Sequence, residues 1–81
     1  MVMIILDPHF EHDLKKADSF LKVRIQKYLE KIIENPEIGK PMRYARKGTR
    51  EVYLGSLRLS YAYVKEEGKI IFLNLYHKDE Q

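Results

Sequence analysis

The hydrophobic pattern changes period once along the chain. Ahead of the change stands VMIIL, residues 2–6, a continuous apolar run of the kind that marks a strand covered on both faces. Asp7-Pro8 ends it. Aspartate is a strong helix N-cap because its carboxylate accepts the free amides of the first turn, and proline at the first helical position gives up no needed donor. Phe10, Leu14 and Ala17 then recur at helical spacing. Asp18-Ser19 offers a second cap, followed by the stripe Leu21, Ile25, Tyr28, Leu29 and Ile32 against a face of Lys22, Lys27, Glu30 and Lys31. Asn35-Pro36 should stop this second segment. Periodicity alone is compatible with one interrupted helix or with two.

From Arg50 the period is two. REVYL, LRLSYAYV and KIIFLNLY are strand-length runs rich in branched and aromatic residues, separated by Gly55-Ser56 and by residues 65–68. They predict an antiparallel meander. A two-residue turn at Gly55-Ser56 pairs Leu54 with Leu57 and Tyr53 with Arg58, and an even-length second turn sets the third strand. One face then carries Val52, Leu54, Leu57, Leu59, Tyr61, Tyr63, Ile70, Phe72 and Tyr76, bulky enough to receive the helices. The other carries Glu51, Tyr53, Arg58, Ser60, Ala62, Ile71, Leu73, Leu75 and His77. A bulge would overturn that division. The expectation is a single α+β domain over residues 1–81: an N-terminal strand, a helical hairpin and a three-stranded antiparallel meander, forming one sheet with the helices on one face.

Composition narrows the class without naming a function. Apolar residues make up 44% and charged residues 33% of 81, a globular balance with no low-complexity tract. A domain of this size buries only roughly 60–65% of its unfolded surface, so its core must be economical. Cysteine is absent, which excludes disulfides and thiolate metal sites. Five apolar residues near the start are too few for a signal-peptide core or a membrane span, so a cytoplasmic, non-membrane protein is expected. The net charge of +3 is unevenly placed. Lys40, Arg43, Arg46, Lys47 and Arg50 follow one another with no acid between them, while the rest of the chain is slightly negative. With Tyr44 interleaved, this segment is either a solvated loop or a contact for phosphates or an acidic partner.

The face opposite the helices carries candidate chemistry. Metal-free RNA cleavage needs a base for the 2′-OH proton, a cation for the phosphorane, and an acid for the leaving 5′-oxygen. Arg58 suits the cation, since its planar fork matches phosphate oxygens and keeps its charge. His77 can serve as acid or base, Glu51 is a second base candidate, and Tyr53 can stack on a nucleobase. Each has a plainer reading: a solvated strand-end histidine, a carboxylate balancing an arginine, an aromatic packed on an arginine stem.

The order of these features resembles the RelE/ParE superfamily of toxin-antitoxin toxins over nearly the whole chain. The resemblance rests on Leu54-Gly55-Ser56-Leu57-Arg58 with Tyr61 behind it, where the family has a hydrophobic-Gly-x-aromatic-Arg turn, and on His77-Lys78 after the last apolar strand. Leu57 stands at the usual aromatic position, Lys78 at a usual arginine, and the terminal tyrosine is missing, with Gln81 last. The resemblance implies a cognate antitoxin that wraps the toxin. It also implies either a ribosome-dependent mRNA endonuclease needing no cofactor, or a ParE-like inhibitor of DNA gyrase; a catalytically weak binding module is the third reading. It places Arg58 as phosphate binder with His77 and Lys78 as the terminal pair, and Arg46 and Lys47 loosely as basic groups before the second strand. The candidate site is then Arg58, His77, Lys78 and Glu51 for chemistry, and Lys40, Arg43, Arg46, Lys47, Arg50 and Tyr53 for RNA. The partners expected are the antitoxin, the ribosome and mRNA.

Overall fold

Two aspartates divide the helical half. Asp7 sits in extended backbone and accepts the His9 amide at 2.8 Å, with Pro8 opening the first helix. Asp18 accepts the Leu21 amide at 2.8 Å and opens the second, so this segment forms two α-helices and not one interrupted helix. In the computed structural model, which describes residues 2–44 and 47–80, these are α1 (Pro8–Lys16) and α2 (Ser19–Glu34). The strands are β1 (Met3–Leu6), β2 (Lys40–Pro41), β3 (Thr49–Leu54), β4 (Leu57–Val64) and β5 (Lys69–His77). Pro36 follows α2 closely, as the sequence predicts.

The strands form one sheet in the order β1-β5-β4-β3-β2, with β1 parallel to β5 and the other neighbours antiparallel. Both helices lie on one face. Phe10, Ile25 and Ile32 meet Leu54, Leu59, Tyr61, Ile70, Phe72 and Leu75 there, and the Phe10 and Phe72 rings lie 5.6 Å apart between centroids. Two expectations change. The segment read as a loop contains a short edge strand, β2. The run 2–6 is not covered on both faces: β1 is the other edge, and all four of its residues are exposed, Met3 at 60%. An unbroken apolar run records which residues favour a strand, whereas burial depends on what packs over it.

Register explains the most consequential correction. The Gly55-Ser56 turn pairs Leu54 with Leu57 and Tyr53 with Arg58 as expected, with Gly55 in the left-handed region at φ 62°. Along β4 and β5, Tyr63 faces Ile70 and Tyr61 faces Phe72, but Ser60 faces Asn74 and Leu59 faces Leu75. Leu73 is an extra residue, a bulge that reverses the parity of the last four residues of β5. Leu75 therefore joins the core, Tyr76 crosses to the open face beside Arg58, and His77 lies across from Leu57 on the helix side. The expected placement of Tyr76, Leu75 and His77 is thus inverted.

On the helix side, Tyr61 fixes the connection from α2 to β2. Its hydroxyl donates to the Pro36 carbonyl at 2.7 Å and accepts the Gly39 amide at 2.9 Å. The backbone passes so close that a Cβ on Gly39 would lie 2.6 Å from that hydroxyl. Arg50, opposite Tyr61, donates through Nη1 to the carbonyls of Glu37 (3.0 Å) and Gly39 (2.8 Å). Burial pushes the Tyr61 phenol above its usual 10.0, partly offset by the Gly39 amide and Arg50. These contacts deliver β2 to the edge of β3, with Lys40 opposite Glu51.

Candidate functional site on the open sheet face

Strand pairing places the open-face residues in rows. One row is Tyr53–Arg58–Tyr76, the next Lys40–Glu51–Ser60–Asn74, and the next Thr49–Ala62–Ile71–Ile5. The face is therefore polar towards the β3–β4 turn and apolar towards the other end. Arg58 stands in the middle of the polar half, its guanidinium carbon 4.0 Å from the centroid of the Tyr53 ring. Its Nη1 donates to the carbonyls of Gly55 (3.0 Å) and Leu57 (3.3 Å). One nitrogen thus holds the group in place, and the Nη2–Nε edge of the fork can present two donors to a phosphate.

Beside it, Tyr76 reaches over β4 and donates its hydroxyl to Oε2 of Glu51. Glu51 is only 2% exposed, although it is on the face the helices leave open. Ser60 is buried in the same row. Tyr76 is less buried than Glu51, and the Glu51 carboxylate holds the Tyr76 hydroxyl in place. Tyr76 is the residue sequence reasoning missed. Its signal was Asn74: unbroken alternation from Phe72 would put that amide in the core register, and the bulge instead exposes it.

The other predicted residues separate into groups. His77 is exposed at the sheet margin and borders a cavity of about 320 Å³ with Asp13, Lys16, Leu57 and Tyr76. Asp13 accepts the Leu75 amide at 3.3 Å, just beyond the end of β1. The Lys78 amide donates to the Ser56 carbonyl at 2.9 Å, which ties the exposed Lys78 to the same turn that positions Arg58. Arg58, Tyr53, Tyr76, His77 and Lys78 accordingly share one end of the sheet. Arg43 and Lys47 are exposed near the opposite end of β3, roughly 17 Å away at about 3.3 Å per residue. Between them Tyr44 is 91% exposed at φ 58°. Lys40 lies at the edge of the polar rows, and Arg50 is committed to the α2–β2 connection on the helix side. Arg46 lies outside the described residues. Among the described residues no group of three or more histidine or carboxylate side chains could hold a metal ion, and no helix is long and apolar enough to cross a membrane.

A small α+β domain with one covered and one open sheet face, and an anchored arginine on the open one, matches a known class. Residues 4–81 match the family model of the ParE toxin of type II toxin-antitoxin systems, parDE, and the chain belongs to that family. It is a RelE/ParE-type toxin of a type II toxin-antitoxin system. Solved structures share the fold. The toxin-antitoxin complex RelBE2 from Mycobacterium tuberculosis aligns at a TM-score of 0.83 with 22% identity over 94% of this chain and 96% of that one. The intact Escherichia coli RelBE complex gives 0.81 with 18% identity over 95% and 96%. A YoeB/ParE toxin from Agrobacterium tumefaciens gives 0.83 with 11% identity over 94% and 98%. Comparison with curated protein sequences finds no match.

Proposed function

We propose that the chain is a ribosome-dependent mRNA endonuclease, held inactive by a cognate antitoxin in the cytoplasm. The observation that carries this reading is Arg58, fixed on the open face by two backbone carbonyls and the Tyr53 ring, with the Glu51-bound hydroxyl of Tyr76 as its cross-strand neighbour. In the reaction the 2′-oxygen loses its proton and attacks the adjoining phosphorus. The bond to the 5′-oxygen then breaks, and that oxygen takes up a proton. A 2′,3′-cyclic phosphate and a 5′-hydroxyl result. Arg58 offsets the charge gathering on the phosphorane oxygens. Tyr76 supplies a hydroxyl on the strand beside Arg58, and His77 and Lys78 reach the same end of the sheet from its margin. The antitoxin partner is supported by the complexes among the structural relatives, each of which pairs a toxin of this fold with its antitoxin.

A second reading, inhibition of DNA gyrase, is favoured by the ParE family model and by the displacement of His77 from the face of Arg58. The test is to incubate the chain with translating ribosomes and, separately, with gyrase and DNA. Cutting within ribosome-bound mRNA, abolished by a single 2′-deoxy substitution at the cut site, is the expected result. Inhibited supercoiling with intact mRNA would replace the nuclease reading with the second.

A further inference from the structure

β2 begins at Lys40, opposite Glu51, so among the described residues no strand lies beside the last three residues of β3 on that edge. A cleft of about 300 Å³ opens there, between the C-terminal half of α2 and the sheet. Ile32, Ile38 and Val52 give it an apolar lining, Tyr28 and Lys31 border it from α2, and Lys40 and Tyr53 from the sheet. The Lys31 ammonium lies 5.0 Å from the Tyr28 ring centroid. The Met42 amide donates to the Thr49 carbonyl at 3.0 Å, so the alternation of a strand directs the backbone groups of Tyr53 towards this same edge, past the end of β2. The carboxylate of Glu51 is turned to Tyr76 on the open face.

We propose that this cleft is a nucleobase subsite for the RNA residue adjoining the scissile phosphate, a step that rests on the nuclease reading. Its size is at the lower end of the range for small-molecule clefts, about 300 Å³. Its chemistry is that of single-stranded nucleic acid sites: apolar and aromatic surface for the base, cations at the rim for the backbone, and main-chain polar groups along one wall. The link to the reaction is Tyr53. The same ring that borders the cleft carries the Arg58 guanidinium at 4.0 Å, so a base in the cleft places its own phosphate within one side chain of Arg58, with Lys40 on the near rim. A base suits this lining better than an acidic peptide does, because two tyrosines, Tyr28 and Tyr53, border the cleft and aromatic side chains are surfaces on which nucleobases stack.

The test uses the full chain with methyl-labelled Ile and Val, titrated with an uncleavable 2′-deoxy trinucleotide and with the same molecule lacking its central base. Shifts at Ile38 and Val52 with the complete trinucleotide, and roughly tenfold weaker binding of the abasic one, are expected. Ile38 is 49% exposed, so Ile38→Trp fills the cleft with little strain and should reduce the complete trinucleotide to the abasic affinity. On ribosomes the same variant should still cut, with its preference at one nucleotide beside the cut flattened. Equal binding of the two probes, unaltered preference in Ile38→Trp, or shifts produced only by an acidic leucine-bearing peptide would overturn the subsite. If those results accompany normal cutting, the nuclease reading stands without it; if wild type neither binds nor cuts, both fall.

Discussion

Arg50 and Arg58 lie on neighbouring strands of one sheet, and they do opposite work. Arg50 is on the helix side, where its guanidinium is bound to the carbonyls of Glu37 and Gly39 and helps Tyr61 hold the α2–β2 connection. Arg58 is on the open side, anchored through one nitrogen and stacked on Tyr53, with the rest of its fork towards solvent. Residue type is the same and local sequence is similar. Strand parity separates them: one sheet face is already covered by helices, so a cation there becomes part of the scaffold, while a cation on the bare face can meet a ligand.

Perturbing the covered face should cost stability first. Leu59 is fully buried, so Leu59→Asp places an unpaired carboxylate in a small core and should unfold the domain, a loss of about 4 kcal/mol or more visible as an absent melting transition. A cooperative melt near that of wild type would show that the faces are assigned the wrong way round. Arg50→Ala removes two charge-assisted bonds to backbone carbonyls and should cost about 1.5–3 kcal/mol, read from denaturant midpoints. Gly39→Ala should cost about 1–3 kcal/mol through the contact with Tyr61.

Tyr61→Phe probes the same clamp more gently, at about 1 kcal/mol near neutral pH. Its pH dependence has a definite sign. Because the folded phenol titrates above its unfolded value of 10.0, its contribution is complete below pH 10 and is lost as pH rises through the folded value. Wild type should lose stability on that alkaline limb more steeply than Tyr61→Phe; parallel limbs would remove Tyr61 from the account. The smallest effect is at Asp7, whose carboxyl is held below 3.8 chiefly by the His9 backbone amide and then by the His9 ring. Its contribution is present above 3.8 and is lost as pH falls through the lower folded value. Asp7→Asn, which keeps the cap, should remove that part of the acid response in helix content.

The helix caps and the hairpin were legible because their causes are local. Asp7, Asp18 and Gly55-Ser56 act within four residues, and a two-residue turn fixes Tyr53 opposite Arg58 without reference to the rest of the fold. What escaped was non-local. The extra residue at Leu73 changes nothing that alternation of apolar side chains can reveal, since Leu73, Leu75 and Tyr76 suit either face, and only Asn74 breaks the degeneracy. The exposure of β1 depends on where the helices fall, and the capture of Arg50 depends on two carbonyls more than ten residues away. The basic run looked uniform in sequence; folding distributes Lys40, Arg43, Lys47 and Arg50 among three surroundings.

The division of labour between the two arginines is tested most directly by one paired measurement: single-turnover mRNA cutting on translating ribosomes, with melting temperature, for Arg58→Ala and Arg50→Ala under the same conditions. Arg58→Ala should cut on the order of 10²-fold more slowly or worse, the scale for removing a transition-state charge partner, while its melting temperature shifts little. Arg50→Ala, held below its lowered melting point, should cut at close to the wild-type rate. Cutting by Arg58→Ala at the wild-type rate, or a loss of rate in folded Arg50→Ala that matches or exceeds it, would contradict the assignment of function to the open face.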